Sequence, residues 1–385
     1  FDPALYGWSL AIFLGLPVAV YFFKKWFSRL PLGLNALAFA VLYLIFDYWA
    51  MRYSLIPAFI ALSANLLSMT DFIGLARLGG IWILGGTAVL FVALAAAGIA
   101  EPNKKRKIAI FFIIFVLAVS SFGFSQSVIR KKEFSAQNAR FVKLAAVSIR
   151  SSFDEEADLI KEKLAVIEND LKNDRFDLVV FPEGFFDLEV SDLENDENFR
   201  LYRELSKRLE TALMVNINWT RDGKRYNSNL LIDRGQIADF YDKKDLVFAG
   251  EYLPSWLGKS KYSAGERETI FKLGDEVLFA APICFETHFP KRVRDFFRKG
   301  AQFLVNSSSN KWLSERLGQE LSASLEHYLE LSIGIRKIYA VQHQKPILIS
   351  GRNDYAGLIF PDGTVDLVDF KTPNGYNIYK GRIQI

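Results

Sequence analysis

The chain has 385 residues, 51% of them apolar, a mean hydropathy of +0.13 and one cysteine. One cysteine excludes an internal disulfide framework, and the apolar content is high for a purely soluble protein. The formal charge of +4 conceals a division: residues 1–132 carry twelve Lys/Arg against four Asp/Glu, and the remaining 253 carry 35 against 39. The basic residues of the first part flank apolar runs instead of clustering on a folded face, which argues against a nucleic-acid partner and for a membrane.

In chain order, apolar runs at residues 7–23, 34–50, 78–100 and 108–124 are read as membrane spans. A further run at 55–69 contains Pro57, Asn65 and two serines. Basic clusters at Lys24, Lys25 and Arg29 and at "KKRK" (104–107) both favour the cytoplasmic side, so an even number of spans separates them. The runs at 34–50 and 78–100 satisfy that parity, which makes 55–69 an outer loop. The last span then delivers everything after it to the extracytoplasmic side. The basic cluster at 130–132 runs against this scheme, and the tight "KKRK" loop is given the greater weight. Residues 1–132 are thus expected to be a transmembrane helical region and residues 133–385 a catalytic domain.

From Phe141 strands and helices alternate. "FVKLAAVSI" reads as a strand and 154–171 as a helix with apolar residues at helical spacing and acidic residues at its start. "FDLVVFPEG" is a buried strand ending in a turn, 201–210 a helix and 212–219 a strand. "YNSNLLID" and "QIADFYDKK" are strands split by an Arg-Gly turn, "VLFAAPICFE" a buried strand, "FPKRVRDFFRKG" a helix and "AQFLVNSSS" a strand. The alternation predicts a layered α/β domain.

Three residues of complementary chemistry fall at predicted strand ends: Glu183, Lys243 and Cys284. A thiol attacks as thiolate and needs a base or nearby cation. A carboxylate can take and return that proton, and a fixed lysine can stabilise an oxyanion. Taken singly, each has a structural reading, as a core sulfur, a turn residue or one of a solvated Lys-Lys pair; together they suit acyl transfer. Cys284, Glu286 and His288 would share one face of a strand, but no second Cys/His cluster supports a metal. His288, His327 and His343 are read as surface or structural. No phosphate-binding glycine loop and no G-x-S-x-G elbow occurs. Neither metal nor cofactor is expected.

The motifs "FPEG", "YDKKDLVFAGEYLP" and "ICFE" resemble the Glu-Lys-Cys pattern of the nitrilase superfamily. The middle motif, with "YNSNLLID" and "SMTDFIGLARLGGIWIL", is similar to the apolipoprotein N-acyltransferase family. That resemblance implies a nitrilase-like α/β/β/α sandwich after an all-α membrane bundle, in a bacterial cytoplasmic (inner) membrane with the catalytic domain outside. It implies that Cys284 takes an acyl chain from a phospholipid as a thioester and passes it to the N-terminal α-amine of a diacylglyceryl-cysteine lipoprotein. Glu183 would be base and acid, and Lys243 the oxyanion support, with Lys244 as the fallback should the register slip by one. Glu251 and Glu286 would be supporting groups and Tyr252 and Trp312 substrate-loop candidates. A monomer is expected.

The chain departs from the family in three places. Asp245, Phe248 and Ala249 interrupt its His-Leu-Val-Pro-Phe-Gly-Glu, "NSSSNKWLSE" replaces its Ser-Asn-Asp-Ala-Trp-Phe-Gly, and Gln342 stands at a glutamate position. The start at Phe1 and the end at "NIYKGRIQI" read as those of a fragment or trimmed form. Two other readings are a membrane-anchored nitrilase-type amidase or hydrolase and a catalytically inactive membrane paralogue.

Overall fold

The computed structural model describes residues 32–53, 71–100, 109, 113, 116, 140–150, 160–248, 250–253, 255–256, 258–311 and 323–385. The expected span at 7–23 and the outer loop at 55–69 lie outside the described residues, as do nearly all of 108–124 and Trp312. The chain divides into two compact units. One is Phe1–Ser135 with Glu330–Gln344 and Pro361–Gly363; the other is Ala136–Leu329 with Lys345–Phe360 and Thr364–Ile385.

In the first unit, helix α1 (Leu32–Tyr53) covers the run expected at 34–50. A 3₁₀ turn at Asp71–Leu75 leads into α2 (Ala76–Ala100). Within α2 the backbone breaks at Gly79 and Gly80, and Gly80 has φ +59. A Cβ on Gly80 would lie 2.2 Å from the Gln342 side-chain oxygen, so the close approach requires glycine there. Ile73, Leu75, Ala76, Ile81, Leu84 and Ala88 form a core with Ile338 and Val341. Among the described residues one stretch, Ile73–Ala95, is long and apolar enough to cross a membrane by length and composition. On α1, Leu34, Leu37, Val41, Leu42 and Ile45 remain exposed, at spacings that place them along one side of the helix.

The second unit is α/β. Its elements in chain order are β1 (Phe141–Ile149), α3 (Ile160–Leu171), β2 (Leu178–Val180), β3 (Glu189–Val190), α4 (Glu197–Leu209), β4 (Ala212–Arg221), β5 (Lys224–Asp233) and β6 (Gln236–Asp242). Then follow β7 (Phe271–Leu273), β8 (Val277–Ala280), a 3₁₀ turn (Cys284–His288), α5 (Pro290–Arg298) and β9 (Phe303–Ser309). Helix α6 (Ala323–His343) begins in this unit, which closes with β10 (Ile347–Arg352), β11 (Ala356–Ile359), β12 (Val365–Val368) and β13 (Tyr376–Gln384).

The strands run β6-β5-β4-β2-β1-β10-β9-β8-β7, but the β1–β10 junction is a single pair, Ile149 opposite Arg352. β1 is otherwise occupied along its length by antiparallel β13, from Phe141 opposite Gln384 to Ile149 opposite Tyr376. Two half-sheets therefore meet at one point. Side chains also bridge them: Ser350 Oγ donates to Val147 O at 2.7 Å, and Asn229 Nδ2 to Ala281 O at 3.1 Å.

Alternation along the strands sorts the faces. Ala145, Val147 and Ile149 of β1 pack with Ile160, Leu164 and Ile167 of α3 and with Phe199, Tyr202 and Leu205 of α4. These helices thus cover one face of the first half-sheet. α4 starts at Glu197, four residues before the expected 201, because Asp196 caps it by accepting the Phe199 N–H at 2.7 Å. The buried strand expected through "VLFAAPICFE" is shorter than its apolar run: β8 stops at Ala280, and Cys284 opens a 3₁₀ turn. Pro282 lacks a ladder N–H, and Cys284 adopts φ +50, which no strand accommodates. Cys284, Glu286 and His288 consequently do not share a strand face.

Candidate active site

Glu183 follows β2 on the turn Pro182-Glu183-Gly184. Gly184 has φ +59, and a Cβ there would lie 2.6 Å from Asp187 Oδ1 and 3.0 Å from Arg352 Nη1. Its N–H donates to Asn216 Oδ1 at 2.9 Å and its carbonyl accepts from Arg352 Nη1 at 2.6 Å. The turn is thus held from both sides, and Glu183 points into the unit with 9% of its surface exposed.

Lys243 follows β6 and is 1% exposed. Its Nζ lies 2.8 Å from Glu251 Oε1 and 3.3 Å from Glu183 Oε1. Asn227 of β5 donates to the same two oxygens, at 2.7 Å to Glu183 and 3.2 Å to Glu251. Asn227 is itself held by Asn216 Nδ2 at 2.8 Å. The second oxygen of Glu251 accepts the Val247 N–H at 2.8 Å, so its carboxylate closes its own turn while facing Lys243. Burial works against the charge on Lys243, but Glu183 and Glu251 outweigh it and hold the pKa well above the ordinary lysine value. Lys243 is a fixed cation between two carboxylates.

Cys284 is half-buried on its left-handed turn. Its carbonyl accepts from Thr287 Oγ1 at 3.0 Å and Asn306 Nδ2 at 3.2 Å, and its Sγ lies 3.9 Å from Ser309 O. Burial pushes the thiol pKa up, Glu183 and Glu251 push the same way, and Lys243 opposes them. The thiol is therefore protonated at neutral pH, and all three charged residues act on it.

Glu286 is fully buried. Its Oε1 accepts from Tyr241 Oη (2.7 Å), Lys244 N (2.8 Å) and Asp245 N (3.0 Å), while Oε2 accepts from Ile283 N at 2.8 Å. It ties the turn carrying Cys284 to the segment carrying Lys243. Burial and the neighbouring Asp245 charge raise its pKa to about 7. Asp245 pairs with Arg292 of α5 at 2.7 and 3.2 Å, and Arg292 reaches Glu268 at 2.6 Å. The Lys299 ammonium, then Lys244 and Arg292, hold Glu268 at about 2.

Of the sequence candidates, Glu183, Lys243 and Glu251 share one hydrogen-bonded cluster whose charges reach Cys284, and Glu286 joins two of the segments involved. Tyr252 lies in the Glu251 turn and is half-buried. Lys244, the register alternative, pairs with Glu268 instead. His288 is buried, with Nδ1 3.2 Å from Phe285 O and its ring stacked on Phe285. Asn227, Asn216 and Arg352 were not singled out by sequence reasoning. The available signal was polar residues at alternate positions within otherwise apolar strands, where burial demands a partner.

Residues 143–333 match the carbon-nitrogen hydrolase family. Apolipoprotein N-acyltransferase of Thermotoga maritima is 23% identical over 376 residues, covering 94% of this chain and 69% of its own. That of Aquifex aeolicus is 25% identical over 74% of this chain and 62% of its own, and that of Helicobacter hepaticus 27% identical over 49% of each. Over most of its length the chain is thus similar to apolipoprotein N-acyltransferases, at 23–27% identity. It spans between about half and about two thirds of the length of these family members. Among solved structures, Saccharomyces cerevisiae Nit3, of branch 10 of the nitrilase superfamily, is 18% identical with a TM-score of 0.48, covering 65% of this chain and 93% of that one.

Proposed function

We propose that the chain is a membrane-bound N-acyltransferase in which Cys284 carries the acyl group between a phospholipid and a lipoprotein amine. The observation that carries this reading is the Glu183–Lys243–Glu251 cluster acting on the lone cysteine. Glu183 takes the thiol proton as Sγ attacks the ester carbonyl of the lipid. The oxyanion that forms is stabilised by Lys243, whose charge is already fixed before reaction. Collapse breaks the ester C–O bond, Glu183 returns the proton to the leaving glycerol oxygen, and a lysophospholipid departs from the thioester. The α-amine of a diacylglyceryl-cysteine then attacks the thioester, loses a proton to Glu183 and leaves as the amide, while Cys284 recovers its thiol.

Both substrates are lipids, so a membrane platform suits the chemistry. The exposed apolar side of α1 and the Ile73–Ala95 stretch support spans in the region 1–132. The basic clusters at 24–29 and 104–107 are the reason for placing the catalytic unit outside the bacterial cytoplasmic membrane. A hydrolase that uses water in place of the amine is the second reading, favoured by the carbon-nitrogen hydrolase match. The test is two-stage: phospholipid alone, then a diacylated lipopeptide. Slow lysophospholipid release that accelerates with the peptide and yields its N-acyl form supports the transferase. Rapid multiple turnover without peptide supports the hydrolase, and release unaffected by Cys284→Ser removes both.

A further inference from the structure

Lys311 stands two residues beyond Ser309, whose carbonyl faces the Cys284 sulfur. It places a cation at the end of the segment that faces the Cys284 turn. Its Nζ lies 3.7 Å from Asp187 Oδ2, and its side chain is 28% exposed. Arg352 Nη1 bonds the same carboxylate oxygen at 2.9 Å and also the carbonyl of Gly184, the neighbour of Glu183. The charge of Lys261 reaches Asp187 as well. Glu189 lies in the same region but is engaged by Arg225 and Asn218. Asp187 is held at φ +49 with 56% of its side chain exposed. Three cations thus converge on one exposed carboxylate beside the Glu183 turn.

We infer that Lys311 forms a subsite for the phosphate of a glycerophospholipid, the phosphate displacing Asp187 as the partner of Lys311. The inference rests on the acyl-transfer reading of Cys284. In such a lipid only the glycerol backbone separates the reacting ester from the phosphate. An ester at the Cys284 sulfur therefore brings the phosphate to the rim that Lys311 occupies. A lysine ammonium serves as a point charge for phosphate, and partial burial limits its screening.

The test measures binding of lysophosphatidylethanolamine and of monoacylglycerol with the same acyl chain to the full chain in nonionic detergent. The wild type is expected to prefer the phosphate-bearing lipid by roughly five- to tenfold. Lys311→Glu and Lys311→Met remove that preference and leave monoacylglycerol binding unchanged, and Lys311→Arg retains it. Equal affinity for the two lipids in the wild type, a preference that survives Lys311→Glu, or a loss affecting both lipids alike in both variants overturns the inference. Glycerol 3-phosphate competing as strongly as the lysolipid assigns the subsite to free phosphate and overturns the lipid assignment. Acyl-enzyme is measured on the same samples. A headgroup preference without acylation of Cys284 removes the acyl-transfer reading alone, and acylation without a preference removes the subsite alone.

Discussion

Lys243 and Glu251 form a 2.8 Å ion pair at a site where the lysine is 1% exposed. A buried cation of this kind is retained only while its partners stay ionised and in place. Lys243→Met leaves Glu183 and Glu251 facing each other without it, and acyl-enzyme formation is expected to fall on the order of 10²–10³-fold. Glu251→Gln keeps Glu183 as partner but loses a charge-assisted bond of about 2 kcal/mol, so a smaller loss is expected. Single-turnover release of lysophospholipid ranks the two variants. Equal, near-wild-type rates in both would show that the cluster serves folding alone.

The resting thiol gives a second prediction. Its pKa is raised by burial and by two carboxylates, so the thiolate fraction at neutral pH is small and grows about tenfold per pH unit. Iodoacetamide should label Cys284 slowly at pH 7 and faster by that factor at each unit up to pH 9, without a plateau. With one cysteine in the chain the label reports only this site. Lys243→Met should slow labelling further, because it removes the one cation opposing the shift.

Glu286 makes stability depend on pH with a definite sign. Its pKa is about 7 when folded against 4.5 for an ordinary glutamate, so between those values the folded chain holds the proton more tightly than the unfolded one. The stabilisation is full below pH 4.5 and is lost as pH rises towards 7. Glu286→Gln should flatten the change in melting temperature across this window. The variant should keep most contacts of Oε1, while the amide nitrogen meets the Ile283 N–H and costs on the order of 1–3 kcal/mol.

Gly184→Ala tests the turn that carries Glu183. The added Cβ meets Asp187 and Arg352 at a left-handed φ. A destabilisation of about 1–3 kcal/mol is expected, together with slower acylation as Glu183 moves. A Gly184→Ala protein with unchanged melting temperature and rate would mean that the turn relaxes freely.

Much of the α/β order was legible because apolar periodicity and turn residues are local signals. The strands around "FVKLAAVSI", "ALMVNINW" and "AQFLVNSSS" lie where the pattern places them. The Cys284 turn was not legible, since an apolar run has the same composition whether it ends in a strand or in a 3₁₀ turn. Only Pro282 hinted at the break. No element was assigned to the segment of β13, which pairs along the whole of β1, more than two hundred residues earlier in sequence. Pairing at that range leaves no local mark. The same limit hid Asn227, whose role comes from Glu183 and Glu251 arriving beside it from two other segments.

The most direct measurement is the intact mass of the purified full chain after incubation with phospholipid. The expected result is one added acyl group, sensitive to hydroxylamine, absent from Cys284→Ala and discharged by a diacylated lipopeptide. An acyl adduct that persists in Cys284→Ala, or a wild-type chain that never acquires one while lysophospholipid is still released, would contradict the assignment of Cys284 as the acyl carrier.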